Sequence, residues 1–190
     1  GLGGGSADVA ALLRCLRRLY AAGMPDEALR AIGLTVGSDV PFCVSGGTSL
    51  AEGRGERLTD LPPLPVCQIV LCKPDFGIST PELFVLADGA VLSKRPDIAG
   101  LTAALQGGEL TGVTDRLCNV FEEFLPERYR EVFRIKEILL AHGALNAAMS
   151  GSGPTVYGIF ESAAEAQRAA EVLKKSYQQT YVAKPVKKLV

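Results

Sequence analysis

The apolar residues near the start of the chain recur at spacings of three and four, which is typical of one face of a helix. They are Val9, Leu12, Leu13, Leu16 and Leu19. Ser6 stands where an N-cap is expected, and Asp8 falls in the first turn, where a carboxylate favours the positive end of a helix. Gly23 ends this helix. The next segment, 25–37, predicts a second short helix with Pro25 in its first turn.

Beyond these helices the pattern changes to strand-like segments. Residues 49–61 predict a β-hairpin, and the proline-rich segment 61–65 predicts a domain boundary directly after it. The apolar run at 66–72 has the length of a strand and is far too short to span a membrane, so no membrane association is expected.

Helical and strand-like periods alternate through the rest of the chain. Helices are predicted over 79–88, 97–106, 111–125, 127–142 and 162–177, and strands over 66–74, 145–151, 154–160 and 180–186. Ser79 or Thr80 caps the first of these helices. This succession predicts an α+β fold, with helices over one face of a mostly antiparallel sheet.

The composition and net charge indicate which kinds of binding partner can be expected. Of the 190 residues 47% are hydrophobic, which is enough for a packed core, and the formal net charge is −1. This charge gives no basic surface for nucleic acid, so no nucleic-acid partner is expected, and any phosphorylated ligand must be held by local groups.

The five cysteines are scattered, odd in number and set in apolar segments. They are Cys15, Cys43, Cys67, Cys72 and Cys118. No pair has the spacing of zinc ligands, and the single histidine is His142. The pattern favours reduced thiols in a cytoplasmic protein over a metal site or a disulfide framework.

The first candidate site is the glycine-rich opening "GLGGGSAD" (1–8). Glycines and a serine directly before a helix expose backbone N–H groups at its positive end, an arrangement that binds phosphate. No Gly-Lys-Ser/Thr follows, so it is not a Walker A loop, and it lacks the third glycine of a dinucleotide fingerprint. The alternative is a flexible linker, but the capped amphipathic helix behind it favours a phosphate site.

The second candidate is "GSDVPFCVSGG" (37–47). Asp39 is followed by the apolar residues Val40, Pro41 and Phe42, a setting expected to restrict and partly desolvate its carboxylate. Such a group could accept a proton from a substrate hydroxyl. Considered alone, a turn or helix-capping aspartate is the more ordinary interpretation.

The third candidate is the turn at 150–153, within "AAMSGSGPTVYGIF" (147–160). Its serines and glycines make a tight, polar connection between two predicted strands. By itself this segment is more typical of a hairpin turn than of a ligand loop.

In this order and spacing, the three segments resemble the GHMP kinase superfamily, which includes galactokinase and the homoserine, mevalonate and phosphomevalonate kinases. The central loop of that superfamily, P-x-x-x-G-L-G-S/G-S-A/S, runs into a helix, and residues 1–12 are similar to its second half. Its closing glycine-rich turn between C-terminal strands is similar to 149–158.

A narrower resemblance rests on "GLGGGSAD", "GSDVPF", "AEGRGERL" and "STPELF" together. They are similar to the branch of the superfamily that phosphorylates a hydroxyl of a cytidine-diphosphate-linked methylerythritol in non-mevalonate isoprenoid biosynthesis. One departure is Ser38, where the commoner motif has alanine. The other is that nothing here matches the family's N-terminal stretch, which carries the catalytic lysine, the aromatic cytidine-binding residues and most of the adenine pocket.

The resemblance implies the C-terminal portion of a two-domain enzyme. Residues 1–62 would be the remainder of the N-terminal ATP-binding domain, the end of an S5-like fold. Residues 63–190 would be the C-terminal domain, a ferredoxin-like α/β sandwich. Because the chain opens inside the glycine loop and without methionine, we expect it to be a fragment of a longer kinase and to be inactive by itself.

The resemblance also implies roles for individual residues, with ATP and magnesium as cofactors. The ATP phosphates would lie on the loop of Gly1, Leu2, Gly3, Gly4, Gly5 and Ser6. Ser6 is also a candidate for contact with magnesium, and Asp39 for the general base or hydroxyl-orienting group. Thr80 and Phe84 would shape the pocket of a small-molecule substrate, although Phe84 fits an ordinary core residue equally well. Gly151 and Ser152 would support the phosphate loop.

Other interpretations stay open from the sequence. Asp8 is assigned a structural role, and Asn119 and His142 receive no functional role, as a local cap and a surface side chain. Another GHMP kinase, of the mevalonate or homoserine type, would share the same motifs, and so would a non-catalytic nucleotide-binding protein. The oligomeric state is undetermined.

Overall fold

The computed structural model describes residues 1–186, which fall into two compact units. One unit comprises residues 3–63 with Val186, and the other comprises residues 1–2 with 64–185. Residues 187–190, the end of the predicted 63–190 domain, lie outside the described residues. Among the described residues, no helix is both long enough and apolar enough to cross a membrane.

The 3–63 unit is three helices followed by a β-hairpin. Its elements are α1 (Gly4–Tyr20), α2 (Asp26–Leu34), α3 (Val40–Ser45), β1 (Thr48–Glu52) and β2 (Arg57–Leu61). Its core is formed by one buried side chain or more from each helix, namely Ala10, Leu29, Val40 and Val44. The predicted hairpin is confirmed, because β1 and β2 pair antiparallel from Thr48 opposite Leu61 to Glu52 opposite Arg57.

Helix α1 begins earlier than the sequence predicted. Its N-cap is Gly3, whose φ of 61° is left-handed, and Ser6 lies inside the helix and does not cap it. No side chain caps this end, and Asp8 lies beyond the first turn. The prediction failed because Gly3 adopts the left-handed conformation without steric cost, so the chain enters the helix directly and needs no serine.

The apolar stripe of α1 is divided between two environments. Val9, Ala10 and Leu13 pack into the core of the unit. Leu12 and Leu19, however, are 59% and 70% exposed in the described structure. The single buried face suggested by their spacing is therefore only partly buried here.

The 64–185 unit is built on a four-stranded antiparallel sheet. Its strands are β3 (Gln68–Lys73), β4 (Asn146–Met149), β5 (Val156–Phe160) and β6 (Gln179–Ala183), in the spatial order β4-β5-β3-β6. Its helices are α4 (Thr80–Asp88), α5 (Ile98–Gly107), α6 (Leu110–Thr114), α7 (Glu131–Ala141) and α8 (Ala163–Lys174). Helices α7 and α8 pack on the sheet, and the β-α-β-β-α-β succession is that of a ferredoxin-like fold. The predicted α+β class is confirmed.

The core of this unit lies between the sheet and these two helices. The fully buried side chains include Val70 of β3, Phe160 of β5, Ile135 and Leu139 of α7, and Leu173 of α8. Because the cluster draws on strands and helices from both ends of the segment, it ties the unit together without contributions from 3–63.

The predicted helix over 111–125 is wrong. Helix α6 ends at Thr114, and a separate 3₁₀ helix covers Val120–Phe124. Between them Asn119 leaves the helical region, with φ of −124° and ψ of 110°. The predicted helix over 127–142 likewise divides, into a 3₁₀ helix at Glu127–Tyr129 and then α7. Periodicity cannot detect such breaks, because the bonds that favour them involve residues distant in sequence.

Candidate active site

The glycine-rich opening presents backbone donors at the start of α1. The first backbone bond of the helix runs from the N–H of Ala7 to the carbonyl of Gly3, at 2.9 Å. The N–H groups of Gly4, Gly5 and Ser6 precede it, so they have no acceptor in a preceding turn. They lie at the N-terminus of a 17-residue helix, where the helix dipole is positive. This row of donors can receive an anionic group such as a phosphate.

The two glycines of this turn are open on their outer side. A Cβ on Gly4 or on Gly5 would have no heavy atom within 4 Å. A Cβ on Gly3 would lie 3.8 Å from Oδ2 of Asp39. The carboxylate of Asp39 is therefore beside the residue at which the row of donors begins.

Asp39 lies at the N-terminus of α3, but its side chain does not cap that helix. Its side chain is exposed, whereas the two residues after it, Val40 and Pro41, are buried. The expected desolvation of Asp39 is therefore wrong: the apolar residues turn inward and leave the carboxylate outside. The capping interpretation that the sequence left open is also not what the structure has.

A charge effect of Asp39 is visible on its neighbour Cys43. Burial and the negative charge of Asp39 raise the pKa of the Cys43 thiol, and Arg14 partly offsets them. Arg14 donates to the backbone carbonyl of Cys43 at 3.2 Å and also to that of Val44. These bonds tie α1 to α3 and so fix the segment that follows Asp39.

The tip of the β1–β2 hairpin packs against the residue before Asp39. Gly55 has φ of 105°, and a Cβ there would overlap the backbone carbonyl of Ser38. Gly53, on the same tip, also has a positive φ, of 69°, but the atoms nearest to a Cβ there are those of the Glu56 carboxylate and not of the aspartate segment. The hairpin therefore packs directly against the aspartate segment at Gly55.

In the 64–185 unit, two candidate residues that are distant in sequence come together. The hydroxyl of Thr80 lies 2.6 Å from the hydroxyl of Ser152, within hydrogen-bonding distance. Thr80 is the first residue of α4, and Ser79 before it caps this helix by accepting from the N–H of Glu82 at 3.4 Å. Predicted substrate-binding and loop-supporting residues are thus adjacent.

Phe84 is not a core residue. Phe84 is 56% exposed, whereas Leu83 is the buried residue of α4. Its one ring contact within residues 1–186 is an edge-on contact with Phe121, at a centroid distance of 5.3 Å. An exposed aromatic face held by a second ring can stack on a planar ligand group.

The turn at 150–153 is closed by two backbone bonds. The N–H of Ser150 donates to the carbonyl of Thr155 at 2.8 Å, and the N–H of Gly153 donates to that of Ser150 at 2.9 Å. Gly151 has a positive φ of 55°. Thr155 is buried, and a Cβ on Gly1 would lie 2.5 Å from its hydroxyl oxygen, so the first residue of the chain lies against this turn.

Asn119 is the main participant that the sequence analysis missed. Its side-chain amide donates to the carbonyls of Met149 and Gly151, at 2.7 and 2.8 Å. Its oxygen accepts from the N–H of Phe121 at 3.0 Å, which is the local cap that was expected. The one available signal was a polar residue inside an apolar-periodic segment, and that signal does not indicate a partner 30 residues away.

No metal cage is present among the described residues, since no three His, Cys, Asp or Glu side chains cluster. His142 is partly buried at the end of α7, where its Nδ1 lies 2.8 Å from the carbonyl of Ile138. This contact gives His142 a structural role at the C-terminus of α7.

Two family models match the chain. The model of the GHMP kinase N-terminal domain matches residues 1–47, and the model of the GHMP kinase C-terminal domain matches residues 101–179. Both glycine-rich segments and Asp39 lie within these ranges. The chain belongs to the GHMP kinase family.

Individual relatives point to one branch of that family. The chain is 43% identical to the 4-diphosphocytidyl-2-C-methyl-D-erythritol kinase of Enterococcus faecalis and 39% identical to that of Clostridium acetobutylicum, over 98% of its length. It spans 66% of the length of each of these relatives. It also resembles a crystal structure of 4-(cytidine 5'-diphospho)-2C-methyl-D-erythritol kinase, with a TM-score of 0.78 and 30% identity over 96% of this chain and 65% of that one.

Proposed function

We propose that the protein is a kinase that transfers the γ-phosphoryl group of ATP to a hydroxyl of 4-diphosphocytidyl-2-C-methyl-D-erythritol. The observation that carries the proposal is the position of Asp39 beside Gly3, where the row of N–H groups begins. A phosphate-holding turn and an exposed carboxylate are thus together in one unit. Membership of the GHMP kinases and the names of the relatives support the choice of reaction and substrate.

The reaction requires charge stabilisation and alignment more than covalent participation of the protein. The substrate oxygen forms a bond to the γ-phosphorus while the bond from that phosphorus to the β–γ bridging oxygen breaks, and ADP leaves. The N–H groups of Gly4, Gly5 and Ser6, with Gly3 before them, would hold the ATP phosphates through the helix dipole. Gly1 and Leu2 would complete the loop.

Asp39 would orient the substrate hydroxyl and accept its proton. Because its carboxylate is exposed and does not cap α3, it is available to a ligand. In a loose transition state little charge develops on the attacking oxygen, so alignment of the hydroxyl is the larger part of this role.

The alcohol substrate would contact the 64–185 unit at Thr80 and Phe84. The exposed ring of Phe84 offers a face for a planar group, and the Thr80 hydroxyl, paired with Ser152, offers a hydrogen-bonding group. Gly151 and Ser152 would support the glycine loop. The contact of Gly1 with Thr155, at the base of the same turn, supports that role.

Magnesium fits the residues present as an ion held mainly by ATP. Mg²⁺ keeps several waters and is bound through one or two protein oxygens plus the phosphates, so a protein cage is not required. The Ser6 hydroxyl, in the first turn of α1, is the oxygen we assign to it. The ion would neutralise charge on the phosphates during transfer.

We further assign residues 1–62 to the ATP-binding domain and 63–190 to the C-terminal domain of the family. A cytoplasmic location suits an enzyme that uses ATP and carries free thiols in all five of its cysteines.

A substrate panel tests the proposal. The protein expressed from its complete reading frame is given ATP, magnesium and one alcohol at a time: 4-diphosphocytidyl-2-C-methyl-D-erythritol, mevalonate or homoserine. We expect phosphorylated product with the first alcohol alone. Product with mevalonate or homoserine instead would overturn the substrate assignment. ATP binding without any product would indicate a non-catalytic nucleotide-binding protein.

A further inference from the structure

Three segments of the 64–185 unit form a closed ring of contacts around the candidate substrate residues. They are the first turns of α4, the segment 119–122 and the turn at 150–153. We propose that Asn119 is a positioning residue that clamps this turn and thereby sets Ser152 against Thr80, the group assigned to the alcohol substrate. The inference rests on the proposed kinase function for its kinetic part only.

The first link is the side-chain amide of Asn119. One nitrogen donates to two carbonyls that flank Ser150, those of Met149 at 2.7 Å and Gly151 at 2.8 Å. The oxygen of the same amide accepts from the N–H of Phe121 at 3.0 Å. The amide therefore uses both of its ends, and its orientation is fixed by its own 3₁₀ turn.

Glu122, on the same 3₁₀ turn as Asn119, binds the end of β4, the strand that leads into the 150–153 turn. Glu122 accepts from the N–H of Met149 at 2.6 Å through one carboxylate oxygen and pairs with Lys136 through the other. The side chains of Glu122 and Lys136 are only 13% and 21% exposed. Residues three apart on a 3₁₀ helix lie on the same side, so Asn119 and Glu122 contact both polar groups of Met149 together.

The ring closes through α4. Phe121 makes the edge-on contact with Phe84, and the Thr80 hydroxyl lies 2.6 Å from that of Ser152. Thr80 and Phe84 are four residues apart and so lie on the same side of α4. Thr80 thus contacts the 150–153 turn directly, and Phe84 contacts the segment 119–122, which binds that turn. Displacing Asn119 would change the position of Ser152 and, through it, that of Thr80.

Asn119→Asp isolates the clamp. The substitution keeps the oxygen that accepts from Phe121 but removes the donor to both carbonyls. It also places a carboxylate oxygen against two carbonyl oxygens, which repel it. The side-chain volume is almost unchanged, so the 3₁₀ turn is retained while its contact with the 150–153 turn is lost.

Asn146→Asp is the matched control. Asn146, at the start of β4, also donates to a distant backbone carbonyl, that of Thr114, at 2.7 Å. Its oxygen likewise accepts from a nearby N–H, that of Ala147, at 2.8 Å. The control therefore loses the same kind of bond in the same unit, but it is outside the ring.

Two measurements on the protein expressed from its complete reading frame test the inference. We expect Asn119→Asp to speed hydrogen exchange of the amides at 150–155 and to lower kcat/KM for the alcohol about tenfold, chiefly through the KM of the alcohol, the scale of one or two lost hydrogen bonds. The KM of ATP should stay within about twofold, a split that general loss of stability would not produce. Asn146→Asp should show neither change.

Each measurement tests a different part of the inference, so each part can be contradicted by itself. Exchange at 150–155 that is equal in both variants overturns the clamp, whatever the activity. Faster exchange in Asn119→Asp with an unchanged KM for the alcohol overturns the positioning role. A wild-type protein that phosphorylates no alcohol overturns the proposed function, while the exchange comparison still decides whether Asn119 clamps the turn.

Discussion

At the scale of single residues, Asp39 combines an exposed carboxylate with a fixed backbone. Arg14 donates hydrogen bonds to the carbonyls of Cys43 and Val44 in α3. The tip of the hairpin packs against Ser38, the residue before Asp39. The carboxylate is thus set on a constrained segment while it is itself open to a ligand. This arrangement suits a group that aligns a substrate hydroxyl.

Asp39→Asn should lower kcat by roughly a hundredfold or more, because the neutral amide keeps the shape but holds the substrate hydroxyl less strongly than a carboxylate and cannot accept its proton. The affinity for ATP should change little, since the N–H groups of the glycine turn are untouched. Steady-state kinetics with an ATP titration measure both. Asp8→Asn, an exposed aspartate in α1, is the control and should retain activity. Near-normal turnover of Asp39→Asn would show that this carboxylate has only a structural role.

The sequence identified Asp39 and Thr80 as candidates but could not give their surroundings. Asp39 was expected to be partly desolvated, yet the chain turns Val40 and Pro41 into the core and leaves the carboxylate exposed. The hydrogen bond between the hydroxyls of Thr80 and Ser152 joins residues 72 positions apart. Such environments depend on tertiary packing, which neighbouring residue types do not specify.

At the scale of elements, the β1–β2 hairpin packs against the aspartate segment at Gly55. Gly55→Ala should displace the Ser38 carbonyl and with it Asp39, so we expect kcat to fall at least about tenfold, because small misplacements of reacting groups are costly. Gly53→Ala also places an alanine at a positive φ, 69° compared with 105° at Gly55, but the atoms nearest to its Cβ belong to the Glu56 side chain.

Comparison of the two variants separates strain from displacement. Both should lose stability in thermal unfolding, by about 1 kcal/mol or more from the positive φ. Turnover should fall in Gly55→Ala and remain near wild type in Gly53→Ala. Equal kcat values would contradict a role for the hairpin in placing Asp39.

Elements whose local signals agree were predicted well. The hairpin, β3 and the serine-capped α8 match the structure, because periodicity, caps and turn residues all favour the same result there. The start of α1 and the segment 111–125 were predicted wrongly. In the first case glycine made a capping serine unnecessary, and in the second the long-range bonds of Asn119 replaced a helical turn.

At the scale of the whole molecule, one buried tyrosine joins the two helices that cover the sheet. Tyr177, after α8, donates its hydroxyl to Glu131 at the start of α7. Burial, this bond and the charge of Glu131 raise the pKa of Tyr177 to about 12. An unfolded tyrosine titrates near pH 10, so between about pH 10 and 12 the unfolded chain releases a proton that the folded one keeps. Stability therefore falls as the pH rises through this range.

Tyr177→Phe should remove this pH dependence. At pH 8 the variant should be less stable than wild type by roughly 1 kcal/mol, the value of the lost hydrogen bond. Above about pH 10 the difference should shrink, because only the wild type loses stability through this group. Urea unfolding at both pH values checks this, with Tyr181→Phe, an exposed position on β6, as the control. Parallel curves for Tyr177→Phe and wild type would contradict the role of Tyr177.

The five cysteines differ in exposure, so two of them can be labelled selectively to measure a distance by spectroscopy. Cys15, in the 3–63 unit, and Cys118, in the 64–185 unit, are exposed. Burial raises the pKa of the other three thiols, Cys43, Cys67 and Cys72, and slows their reaction with maleimides. A dye or spin-label pair would therefore attach with one probe on each unit of the natural sequence. Energy transfer or dipolar spectroscopy could then follow the distance between the units as nucleotide is added.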